Sequence, residues 1–188
     1  MQKSRCLVVL VLGLVAMARA DEQDTVVSLS KMNISGPRFG LTYVNSFGGG
    51  DFAAQLKQRN IRNAYSEFGW HFEFKVAPEG NTPSFVFEIV PLIGALEYGV
   101  AIPSVTVPMG IRLPNGFEFG IGPNVILGYP SFSSSIVLAA GKTFSFHGVG
   151  IPVNVALASG KGGYAISCLA GYAIVKSKKK LEPIPETH

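Results

Sequence analysis

The chain is predicted to be all-β: an antiparallel up-and-down β-barrel of about eight strands, with a short amphipathic helix in its first long loop. Three observations predict this. In the stretch from Glu67 to Val76, Phe68, Trp70, Phe72, Phe74 and Val76 occupy every second position, and Glu67, Gly69, His71, Glu73 and Lys75 lie between them. A strand turns successive side chains to opposite faces, so one face is aromatic and the other is charge and glycine. Second, the runs that follow are short, rich in Val, Ile, Phe and Tyr, and punctuated by glycine and proline. Third, turn sequences join neighbouring runs, which makes sequential antiparallel pairing the simplest topology.

From the N-terminus, Lys3 and Arg5 precede an apolar run from Leu7 to Val15, and Ala18-Arg19-Ala20 forms a small-x-small site. This reads as a secretory signal over residues 1–20, the apolar run being shorter than the ~20 residues of a spanning helix. Cys6 precedes the apolar run, so a lipoprotein anchor is not indicated. Residues 21–35 form an N-terminal extension, 36–175 the barrel domain, and 176–188 a tail predicted to be disordered, with its lysines and the prolines Pro183 and Pro185.

Strands are expected at roughly 37–45, 66–77, 84–93, 97–112, 116–128, 134–146, 149–158 and 163–175. Leu113-Pro114-Asn115-Gly116 and the segment from Ser159 to Gly163 read as hairpin turns. Further turns are expected from Pro78 to Pro83, at Tyr129-Pro130-Ser131 and at His147-Gly148. Between the first two strands, Gly48-Gly49-Gly50 precedes Asp51, a helix N-cap residue type. Phe52, Leu56 and Tyr65 follow at loosely helical spacing among Gln55, Lys57, Gln58, Arg59 and Arg62.

The whole chain carries 16 basic and 12 acidic residues, and removing Lys3, Arg5 and Arg19 with the signal leaves thirteen against twelve. Four of the remaining lysines crowd the tail, at 176, 178, 179 and 180, so no broad basic face is left for a nucleic acid. Without Cys6, Cys168 is the only cysteine, which excludes an intramolecular disulfide. Its neighbours supply no basic residue, and a buried, unreactive thiol is expected.

The two faces of the barrel differ in bulk. One carries Phe39, Phe68, Trp70, Phe72, Phe74, Phe85, Phe87, Phe117 and Phe119, with Leu41 and Tyr43. The other is rich in glycine and small residues (Gly40, Thr42, Gly69, Ser84, Ser104, Gly120, Ser167) and holds charges of mixed sign: Arg38, Glu73, Lys75, Glu88, Arg112 and Glu118. A barrel of about eight strands encloses room only for side chains. That many rings would overfill it, whereas small residues and an ionic network fit. The aromatics are therefore expected to face lipid, as in a membrane barrel with a polar interior. In the alternative, a soluble lipocalin-like barrel of the periplasm or a secreted one, the same rings line a cavity for a lipid or other apolar ligand. Glu97 and Arg112 are expected to be able to pair across neighbouring strands.

Several segments recur in a fixed order: Gly36-Pro37-Arg38-Phe39-Gly40, Phe68-Gly69-Trp70-His71-Phe72-Glu73, Val90-Pro91-Leu92-Ile93-Gly94 with Glu97 close behind, the run from Asn115 to Asn124, and Ile151-Pro152-Val153-Asn154. This set resembles a group of small, mostly uncharacterised bacterial outer-membrane β-barrel proteins, and it spans nearly all of the chain after the signal. The resemblance implies export, a bacterial outer-membrane location, and membrane lipid and the outer-membrane assembly machinery as partners. It implies no catalytic residue and no cofactor. Many outer-membrane barrels end on an aromatic in the last strand. Here Tyr172 stands near the end of that strand, and sixteen residues follow it.

Chemistry is sparse. Lipid-modifying hydrolases on small membrane barrels pair a nucleophilic serine with a histidine, and a carboxylate orients the pair. The candidates are His71, His147, Ser145 and Ser167, but such hydrolases carry a histidine followed shortly by serine and asparagine on one strand, and Phe146-His147-Gly148-Val149 lacks them, so no catalytic residue is assigned. His147 reads as a turn residue and His71 as a hydrogen-bond partner in the lumen. No metal site is assigned either, since no ligand spacing recurs along the chain. The expected role is non-enzymatic, structural or in interaction, with a lumen plugged by side chains and the loop from Gly48 to Tyr65 as the contact element.

Overall fold

The computed structural model describes residues 33–45, 51–76, 82–128, 132–146, 149–161 and 163–174. The expected signal peptide, most of the N-terminal extension, Gly48-Gly49-Gly50, the Tyr129-Pro130-Ser131 turn, most of the Pro78–Pro83 turn, the His147-Gly148 turn and the C-terminal tail lie outside these residues.

The chain forms β1 (Gly36–Asn45), α1 (Asp51–Gln58), β2 (Ala64–Val76), β3 (Ser84–Gly94), a 3-10 turn (Leu96–Tyr98), β4 (Ile102–Thr106), β5 (Met109–Arg112), β6 (Phe117–Leu127), β7 (Phe132–Phe146), β8 (Val149–Gly160), β9 (Gly163–Gly171) and β10 (Ala173–Ile174). Neighbouring strands pair antiparallel, and β9 pairs back with β1, which closes an eight-staved barrel with no free edge. The up-and-down order is the expected one.

Two staves are interrupted. Val90 opposes Thr106 and Phe87 opposes Met109, so β4 and β5 are one stave with an unbroken register. The interruption falls at Val107-Pro108, because Pro108 has no N–H to give to the ladder. Its carbonyl still accepts from Glu88 N–H at 2.9 Å, and Val107 N–H donates to Pro123 at 2.9 Å. Likewise β10 continues β9 past a break at Tyr172, staying paired with β8. The expected strand 97–112 begins later, at Ile102. Ala95 (φ 64°) and Gly99 (φ 70°), both left-handed, bracket Leu96-Glu97-Tyr98 and fold them into the 3-10 turn instead.

Two of the expected hairpin turns fall mainly within the described residues and form there. Gly116, with φ 83°, donates to the Leu113 carbonyl at 3.0 Å, and Gly160 opposes Gly163. Inward glycines allow the strands to bend closely past one another. A Cβ at Gly40 would lie 1.9 Å from the Cys168 carbonyl oxygen, and one at Gly110 equally close to that of Phe119.

Helix α1 follows β1, and its apolar side is buried. Phe52, Ala53 and Leu56 pack with Val44, Ile61, Tyr65, Ala95 and Ile102 in one cluster at the end of the barrel opposite Gly36 and Ile174. Tyr65 belongs to β2, not to the helix. Its contact with Leu56 is made across the loop, which explains why its spacing is only loosely helical.

Candidate functional site in the barrel lumen

Alternation decides which side chains enter the barrel. On β2, Glu67, His71 and Glu73 are buried, while Phe68, Trp70, Phe72 and Phe74 between them are exposed. Arg38, Glu88, Arg112 and Glu118 are also buried inside, and Lys75 is half-buried. All six charges expected on the inner face are therefore there. Phe39, Phe85 and Phe119 are exposed outside, Phe39 at 60%. Phe87 and Phe117 are part-buried on the same outer face, Phe87 against the Phe74 ring at 6.3 Å and Phe117 beneath the Lys142 ammonium at 5.1 Å.

Register then assembles the charges. The Leu113–Gly116 turn sets Arg112 opposite Glu118, and β2–β3 pairing sets Glu73 opposite Glu88. Arg112, with no exposed surface, donates from Nη2 to Glu73 Oε2 at 2.5 Å and from Nε to Glu118 Oε2 at 2.6 Å. Its Nη2 also pairs with Glu118 and lies 4.0 Å from Glu88 Oε1. Lys75 Nζ is 3.8 Å from Glu73 Oε1, and His71 Nε2 is 3.2 Å from Glu88 Oε2. Arg38 takes a different partner class. Its guanidinium donates to the backbone carbonyls of Ile34 at 2.7 Å and Pro37 at 3.1 Å, closing the terminus end of the lumen. Arg38, Lys75 and Arg112 together offset the charges of Glu73, Glu88 and Glu118.

Further along the bore a second polar tier forms. Thr42 donates to Glu67 Oε2 at 2.5 Å and shares a 2.6 Å contact with Ser167. Asn124 accepts from Thr106 at 3.0 Å and donates to Ser135 at 3.3 Å. A cavity of about 100 Å³ lies between the charged wall and a wall of small residues that includes Ala139, Gly141, Ala156 and Ala158.

Four buried side-chain atoms have no hydrogen-bond partner among the described residues: His71 Nδ1, Glu73 Oε1, Lys75 Nζ and Glu88 Oε1. All four belong to the charged tier. His71, Glu73 and Glu88 can each bring one donor atom within 4.8 Å of the others. Spacing along the chain does not display this group, because Glu88 joins it across the β2–β3 ladder. The readable signal was His71 and Glu73 two apart on one strand face.

Two expectations change. Glu97 does not pair with Arg112. It sits on the 3-10 turn, where Ser66 donates to it from its N–H at 2.7 Å and from its hydroxyl at 2.6 Å. Slight burial raises the Glu97 carboxyl, and these hydrogen bonds outweigh it and hold the group below its ordinary range. Cys168 is exposed on the outer face, not buried, because β9 places it opposite Leu41 with the outward-facing parity. Ser167 opposes Thr42 and His71 opposes Gly36, six residues apart along β1, or ~20 Å at the rise of a strand, so these two form no nucleophile–base pair. Ser145 opposes Gly150 at the terminus end of the barrel, on β7, several staves from His71 on β2. His147 is outside the described residues.

The chain matches no family model, no curated protein and no solved structure in comparisons with known proteins.

Proposed function

We propose that the chain is a non-enzymatic outer-membrane β-barrel with a structural or interaction role. The observation that carries this reading is the inside-out sorting of side chains. Rings and branched aliphatics cover the outer face from Tyr43 and Phe132 at the helix end to Phe74 and Phe146 at the other, with Phe132 at 77% and Leu41 at 63% exposure. A water-facing surface this apolar is a liability, whereas acyl chains match it. Lys142, the cation on this face of β7, lies along the rings of Phe117 and Phe144 at 5.1 and 5.2 Å near the terminus end. That is where a long stem lets an ammonium reach the headgroups. The exposed surface of α1 and its following loop carries Lys57, Gln58, Arg59 and Arg62, a basic contact surface beyond the membrane.

One feature weighs against the lipocalin-like alternative. The lumen cavity, at about 100 Å³, is well below the ~300–1,000 Å³ of sites that enclose a small-molecule ligand.

The test is membrane fractionation of the host, with unheated and boiled samples compared on a detergent gel. Recovery in the outer membrane with a heat-dependent shift is expected. Phe72→Arg should abolish that recovery, since a charge on the lipid face at mid-bilayer costs ~2–4 kcal/mol. Soluble recovery of the native chain, or normal membrane assembly of Phe72→Arg, would overturn the reading.

A further inference from the structure

We propose that the lumen holds a divalent transition-metal site built from His71, Glu73 and Glu88. Two independent observations meet here. The donor atoms of these three residues lie within 4.8 Å of one another, and bonds of ~2.0–2.2 Å place ligand atoms on one ion ~3–4.3 Å apart. Small rotamer changes close the difference. Separately, His71 Nδ1 is buried with no hydrogen-bond partner among the described residues, and Glu73 Oε1 and Glu88 Oε1 have only long ion-pair contacts, with Lys75 at 3.8 Å and Arg112 at 4.0 Å. A buried polar atom without a hydrogen bond is costly, so three in one cluster are unusual unless something fills the space between them.

The donor set defines the ligand. One imidazole nitrogen and two carboxylate oxygens suit Zn²⁺, Mn²⁺ or Fe²⁺, and thiolate-seeking ions are disfavoured. The two carboxylates carry the charge that attracts a divalent ion, which would share it with Arg112 and Lys75. The other oxygen of Glu73, Oε2, accepts from Arg112, and an outer contact of this kind orients a ligand.

Two cations oppose the ion, and they set its affinity. Arg112 is held between Glu73 and Glu118 and stays in place. Lys75 is different. Its ammonium is 3.8 Å from Glu73 Oε1, the oxygen the ion needs, on a half-buried side chain two residues nearer the end of β2. Lys75 and the metal therefore compete for one oxygen, and the lysine must withdraw when the ion binds. Removing it should tighten the site.

The experiment is a Zn²⁺ titration of the folded barrel by calorimetry, with Co²⁺ absorbance as a second readout and the heat-dependent gel shift confirming the fold of each variant. One ion per chain is expected. Lys75→Met should bind about tenfold more tightly, and His71→Ala and Glu88→Gln should each weaken binding by at least about tenfold. The double variant His147→Ala/His188→Ala should bind as the native chain does. Absence of binding at 1 mM Zn²⁺, unchanged affinity in both His71→Ala and Glu88→Gln, weaker binding in Lys75→Met, or loss of binding in the double variant would each overturn the proposal. If His71→Ala does not fold, Glu88→Gln and Lys75→Met decide.

Discussion

Arg112 is the group on which the interior depends most, and its removal has a calculable consequence. It touches two carboxylates directly, Glu73 and Glu118, and approaches a third, Glu88, at 4.0 Å. In Arg112→Met the bulk of the side chain stays and the charge leaves. Each carboxylate then loses an attraction of ~4 kcal/mol at 4 Å and an effective dielectric near 20, partly offset because the guanidinium is no longer desolvated. Removing one partner of a buried ion pair typically costs ~3–5 kcal/mol, and that range is expected here. It is a large share of the ~5–15 kcal/mol that holds a domain folded. Equilibrium urea unfolding of the refolded barrel, followed by Trp70 fluorescence, measures it. The triple variant Arg112→Met/Glu73→Gln/Glu118→Gln, which removes the orphaned charges as well, should recover most of the loss. A cost below about 1 kcal/mol for Arg112→Met alone would refute the claim that Arg112 is a desolvated bridge, since solvated surface pairs are worth no more than that.

Leu56→Ala, at a residue 2% exposed in the apolar cluster, should destabilise the attachment of α1 by ~2–5 kcal/mol and expose Lys57 and Arg59 to trypsin while the strands stay protected. Cleavage no faster than in the native chain would show that the helix is held by something other than that cluster. Glu97 gives a pH dependence. Its folded carboxyl is held below the ordinary carboxylate range, so its contribution is present above the unfolded value and is lost as pH falls through the lower folded value. Ser66→Ala should raise the Glu97 titration midpoint, seen by carboxyl carbon NMR, and move the onset of acid destabilisation upward. An unmoved midpoint would refute the role given to the Ser66 hydroxyl.

The strands were legible because a half-buried strand has a period of two, and here both faces announce themselves. Phe68 to Phe74 against Glu67 to Glu73 admits one register only, since a slip of one residue would put four rings in the bore. The side that faces inward was legible from volume rather than polarity. What alternation does not contain is pairing at a distance. Glu88 meets Glu73 and His71 because β3 lies beside β2, and Arg112 meets Glu73 from a stave further on. The wrong partner assigned to Arg112 and the misplaced start of its stave share a physical origin. Ala95 in a left-handed conformation is invisible to propensity, and it turns Glu97 away from the sheet. Cys168 was misplaced because burial was inferred from its residue type, when its parity on β9 decides the face.

The helix gives the barrel two unlike ends, and this bears on what the lumen can do. At one end Phe52 and Leu56 close on Val44, Tyr65 and Ile102 in an apolar seal. At the other, Arg38 is tied to the Ile34 and Pro37 carbonyls, and Arg112 spans two strands' worth of carboxylates. A hydrated solute crossing the bore would have to break both, and they fail under different conditions: the first when apolar contacts are cut, the second when charge is removed. The lumen is thus better suited to holding something small between its ends than to passing it through. Under the proposed interaction role, a molecule docking on the basic outer surface of α1 would act on the barrel through Leu56, which seats the helix in the apolar cluster.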